Sequence, residues 1–154
     1  IVVATAGILS ALLVNDIARR NLQHHGLMRY TAMCLVGGYV WLGIGGLLLP
    51  FAAPAGLLYD AALHTVFLGF VFAMVFGHAP IIFPAVLRVA VPYTPLYYGH
   101  LALLNLTLLA RVAGDVFNLP GLRAWGGLGN ALALALFIGV TAVSVLRARR
   151  QQAA

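Results

Sequence analysis

Lysine and glutamate are absent from this 154-residue chain, and cysteine occurs once, at Cys34. Without lysine there is no Schiff-base anchor for retinal and no lysine nucleophile. A single cysteine excludes an intrachain disulfide and the Cys-x-x-Cys-His attachment of covalent haem. Without glutamate there is no His-Glu-x-x-His zinc motif, and no Ser/His/Asp set falls in a common layer, so hydrolysis is disfavoured. Charge of any kind is scarce, at 8% of residues against about a quarter in soluble domains. The chain opens at Ile1 with neither Met nor a charged n-region, so a signal peptide is not read and a trimmed N-terminus is the expectation.

What remains is apolar. Hydrophobic residues make up 63% of the chain and the mean hydropathy is +1.01, the composition of an integral membrane protein. Five apolar spans fall at about residues 1–18, 30–49, 61–83, 97–117 and 126–146, each near the ~20 residues that cross the hydrocarbon core. They read as helices, so the expectation is an all-α, polytopic bundle of five transmembrane helices forming a single domain over 1–154. Breaks fall at Arg19, Arg20 and Arg29, at Pro50 and Pro54, at Pro84, Arg88, Pro92 and Pro95, and at Pro120, Gly121 and Arg123. Pro80 and Pro84 are expected to kink or end the third span. The net charge of +6 comes from nine Arg against three Asp. These Arg cluster in the first and third loops and at Arg147, Arg149 and Arg150, which places the N-terminus outside and the C-terminus in the cytoplasm. Scattered at span ends, they form no stripe for nucleic acid. A bacterial-type inner (plasma) membrane is the expected location. Tyr39, Trp41, Tyr93, Tyr97, Tyr98 and Trp125 read as interfacial anchors.

Against this background the ionisable residues inside spans stand out, because each is costly in a bilayer and reads as functional. Asp60 and His64 open the third span, and His78 follows His64 by fourteen residues. On an unbroken α-helix that interval is about 1400° of rotation and about 21 Å of rise, which puts both imidazoles on one face at two depths. Spans three and four run antiparallel, so His78 and His100 fall at one depth near the cytoplasmic side, with the loop residues His24 and His25 approaching from the same side. Asp60 and His64 share the opposite layer with Arg111 and Asp115. His100, Thr107, Arg111 and Asp115 lie within about 80° on one helical face. This polar stripe should face other helices, a cofactor or a water-filled cavity, although Arg111 and Asp115 can also neutralise each other at i, i+4. Asp60, His64 and Asp115 together would make a generic divalent-metal site. Gly69, Ala73 and Gly77 form a small-residue ridge for close helix packing.

The chemistry that best matches His78 and His100 is axial ligation of haem iron, which takes two neutral imidazoles from facing helices inside an apolar sheath. The fourteen-residue interval from His64 to His78 resembles the ligand spacing on cytochrome b helices, although fourteen residues after His100 this sequence has Gly114. The stretch from His64 through Gly69, Met74 and Gly77 to His78 also resembles the His-Gly-Met-Gly-His pattern of NnrS-type membrane proteins, a haem- and copper-associated family linked to nitric oxide metabolism. That resemblance covers about one helix in five and departs at Ala79-Pro80. It implies His64 and His78 as haem or metal ligands. The expected function is therefore a b-type haem protein carrying electrons in the membrane, with quinone and copper as further ligand classes. A non-catalytic subunit of a larger respiratory or photosynthetic complex, and a small transporter or channel lined by the polar stripe, are the alternatives. A homo-oligomer or a membrane complex is the expected assembly, and the sequence leaves open whether the protein is an enzyme.

Overall fold

The computed structural model describes residues 21–88 and 93–153; the span expected over 1–18 lies outside the described residues. Among the described residues every regular element is helical. Helix α1 (Leu27–Leu48) follows Gly26, whose φ of 67° suits a residue without a Cβ, and runs into a 3-10 turn, Leu49–Phe51, built around Pro50. Helix α2 (Leu57–His64) starts after Gly56 and continues without a break through a π-helical stretch, Thr65–Phe72, into α3 (Ala73–Leu87). Arg88, at φ 52°, ends this rod. Pro80 and Pro84 sit inside α3, so of the two expected outcomes, a kink or an end, the helix does not end at either. Helix α4 spans Tyr97–Val116 and helix α5 spans Pro120–Ala153.

Three of these segments, Leu27–Phe51, Leu57–Val86 and Pro120–Arg150, are long and apolar enough to cross a membrane. Helix α4 is not one of them. It carries Asn105, Arg111 and Asp115 among its leucines, and it lies against the other helices as the polar spine of the bundle.

The turn from α4 to α5 is set by local chemistry. Asn118 adopts the left-handed conformation at φ 53°, which asparagine tolerates. Its N–H donates to Asp115 O at 3.4 Å, and Leu119 N–H donates to Gly114 O at 2.7 Å. This is a Schellman closure of α4. Pro120 then opens α5, where its fixed φ is already helical and its missing N–H costs nothing.

The antiparallel α4–α5 pair forms the largest helix interface, and its helices meet almost backbone to backbone. A side chain at Gly114 would run into the backbone of Arg123, and one at Gly126 into that of Arg111. The sequence ridge Gly69, Ala73 and Gly77 is a seam of the same kind. Gly69 lies against Trp41, and Gly77 lies against Cys34 and Thr31, while Ala73 faces Gly38, all on α1. Thr31 reinforces the seam by donating its hydroxyl to Gly77 O at 2.9 Å.

Candidate functional site

The ionisable residues gather at two levels. At one end of the bundle Arg111 of α4 reaches Asp60 of α2, with Nη2 2.8 Å from Oδ2. Asp60 Oδ1 also lies 3.4 Å from His64 Nδ1. Asp115 sits behind this group with its side chain fully buried, and Asp60, His64, Arg111 and Arg123 are all near enough to act on its charge. Its closest cation is Arg123 of α5, at 3.7 Å, outside hydrogen-bonding range. Neither Asp115 oxygen has a hydrogen-bond partner. The layer expected from the antiparallel order is present, enlarged by Arg123.

This pairing rules on two expectations. Asp60, His64 and Asp115 do not make a metal centre: Asp60 is committed to Arg111, Asp115 is turned toward Arg123, and no group of three or more His, Cys, Asp or Glu among the described residues is placed to hold a metal ion. The polar stripe of α4 faces other helices at Thr107 and Arg111, and Arg111 also lines an open cleft. Thr107 Oγ1 lies 2.7 Å from Asn130 Oδ1 on α5, and Arg111 reaches α2.

At the other level His100 is enclosed. Its Nε2 is 3.1 Å from Tyr30 Oη of α1, and its Nδ1 is buried without a partner. Edge-on aromatic rings surround it, with Phe76 at 4.8 Å, Phe137 at 5.3 Å and Tyr97 at 5.8 Å between centroids. Phe76 and Phe137 stack at 4.4 Å and close the floor. His78 is not brought to His100. Phe76 presents the face of its helix that meets His100, and a residue two positions on points about 200° away. His100, with Nε2 bonded to Tyr30 and Nδ1 buried, presents neither nitrogen to an incoming ligand.

His64 and His78 are different. His64 Nδ1 is 2.8 Å from Asp60 O, and His78 Nδ1 is 2.8 Å from Met74 O, each four residues back along its own helix. A carbonyl only accepts, so both Nδ1 atoms carry the proton. In the neutral ring each Nε2 is then left with its lone pair. Both side chains are half-buried. Between their levels the rod shows an exposed apolar flank that includes Phe67, Val71 and Val75. The π-helical stretch lowers the rotation between the two histidines, because a π turn takes more residues than an α turn. The fourteen-residue interval therefore does not return the two imidazoles to one face of the rod. His24 and His25 are exposed and take no part.

Several partners were not visible in the sequence. Trp41 and Tyr97, read as interfacial anchors, are buried, whereas Trp125 is 73% exposed as that role requires. Trp41 Nε1 donates to Asn105 Oδ1 at 2.7 Å, and Asn105 Nδ2 to Leu101 O at 2.8 Å. Asn105 and Asn130, each a lone amide in an apolar span, carried the signal that such residues find partners on neighbouring helices. Tyr30 carried none.

A family model described as "Domain of unknown function (DUF8744)" matches residues 1–146. No curated protein and no solved structure matches the chain.

Proposed function

The chain belongs to the DUF8744 family, and for it we propose an integral membrane protein that binds b-type haem through His64 and His78 and carries electrons within the bilayer. The observation that supports this most is the shared state of the two imidazoles. Metal-bound histidines characteristically donate the other ring N–H to a backbone carbonyl or carboxylate, which fixes the tautomer and the ring. Both histidines have that bond at 2.8 Å, and both leave the Nε2 lone pair for a ligand. Bound haem supplies one-electron redox chemistry. The chain would supply the imidazole nitrogens of His64 and His78 and, through their bonds to Asp60 O and Met74 O, the orientation of both rings.

His64 and His78 are about 21 Å apart along an α-helix, too far for one iron. Each would hold a haem by one imidazole, with the matching imidazole of a second copy completing the pair, so the proposal includes a homo-oligomer. The remaining expectations join this reading: five crossings with the N-terminus outside, a bacterial-type inner membrane, and quinone as electron partner. Copper at either imidazole is a variant of the same ligand chemistry. A role as a non-catalytic subunit of a larger complex is the second reading, favoured by the exposed apolar flank between the histidines.

The test is a reduced-minus-oxidised spectrum of protein purified after expression with ample haem. His64→Leu and His78→Leu should each weaken or shift the b-type bands, and the double variant should lose them. His100→Leu should keep them. Full bands in the double variant would reject these ligands.

A further inference from the structure

The polar end of the bundle holds a feature that the haem reading does not use. An open cleft of about 470 Å³ lies between the starts of α2 and α5, lined by Gly56, Leu57, Asp60, Arg111, Pro120 and Arg123. We propose that this cleft binds the phosphate of a phospholipid headgroup.

The spare bonding capacity of the lining is mostly that of a donor. The Asp60 carboxylate is already engaged by Arg111 at 2.8 Å and His64 at 3.4 Å. Arg123, in contrast, is 41% exposed, and its nearest carboxylate oxygen is 3.7 Å away, so its guanidinium has N–H groups to give. Arg111 Nε is a second donor without a partner, buried beside the cleft wall. Two long helical rods also begin at the cleft. The first turn of α2 already carries Asp60, whereas the first turn of α5 has no acidic residue. The first N–H groups of α5 and the positive end of its dipole favour an anion. A tetrahedral phosphate offers the acceptor oxygens that this donor set lacks, and guanidinium matches it in shape as well as charge.

The surroundings point to a lipid as the source. The residues beside the lining in sequence are apolar or aromatic and exposed: Tyr59 next to Asp60, Leu122 and Trp125 flanking Arg123, and Phe117 in the preceding turn. Tyr and Trp of this kind sit at headgroup level in membranes. The cleft therefore lies where a headgroup lies, with acyl chains free to follow the apolar helix surface.

The experiment uses the full-length protein, delipidated in a neutral detergent. Binding and thermal midpoint are measured with phosphatidylglycerol, with a galactosyl diacylglycerol of the same acyl chains, and with inorganic phosphate. Phosphatidylglycerol should bind and raise the midpoint, while the galactolipid and inorganic phosphate should do neither. Arg123→Gln should weaken phosphatidylglycerol binding about tenfold, the loss of one charge-assisted hydrogen bond. Ala124→Asp, which adds a carboxylate to the lining without touching Asp115, should weaken it as well. Arg149→Gln, far along α5, should not. Equal binding of the galactolipid, or wild-type binding by both cleft variants, overturns the site. An equal effect of inorganic phosphate overturns the lipid and leaves a soluble anion. None of these outcomes depends on haem, so the two proposals fail separately.

Discussion

At the scale of single residues, the bundle pairs its buried polar groups across helices. Tyr30 and His100 are the most enclosed of these pairs. Tyr30→Phe would leave both nitrogens of His100 buried without a partner, a cost of about 1–3 kcal/mol. Unfolding in detergent should show that loss, and an unchanged midpoint would mean that the bond contributes nothing. The two aspartates should behave oppositely. Asp60→Asn removes the negative partner of Arg111, which is only 19% exposed, and should lower stability. Asp115→Asn neutralises a buried carboxylate whose oxygens accept no hydrogen bond, so it should be tolerated better than the change at Asp60. Equal losses in the two variants would refute this ordering. The Asp60–Arg111 pair was legible in the sequence, because antiparallel neighbours bring those ends to one depth. The fate of His100 was not. Depth alone matched it with His78, and only the side-chain directions show Phe76 in that place.

At the scale of elements, the limits of α1 and α4 lie close to those expected, whereas the rod and above all α5 run several residues further at both ends. Spans expected at 30–49, 61–83, 97–117 and 126–146 correspond to α1, the rod Leu57–Val86, α4 and α5. Their ends are chemical signals: glycine before α1 and α2, and Asn118 and Pro120 between α4 and α5. The π-helical stretch was not legible. A fourteen-residue interval returns to one face only at a constant 3.6 residues per turn, and Thr65–Phe72 departs from that. Gly126 and Gly127 form part of the α4–α5 seam, where Gly126 meets the Arg111 backbone and Gly127 the Arg111 guanidinium. Gly126→Leu should push the two helices apart and cost about 1–3 kcal/mol, as overpacking does. Gly121→Leu, where a Cβ meets open space, should cost far less, and a reversed order would contradict the seam.

At the scale of the whole molecule, the chain is an all-helical assembly whose polar helix α4 is surrounded by three segments apolar enough to cross a membrane. Its proposed topology is open to labelling, because Cys34 is the one cysteine and is buried. In a Cys34→Ala background, Arg149→Cys should react with a membrane-impermeant thiol reagent only after the membrane is opened. Labelling of intact cells would reverse the orientation. The central claim is that the free Nε2 atoms of His64 and His78 hold haem. Its most direct test is a pyridine haemochrome assay on the purified wild-type oligomer. The account predicts a b-type spectrum and about one haem per chain, since each iron takes two imidazoles and each chain offers two. Folded, oligomeric protein that stays colourless after expression with ample haem would contradict it.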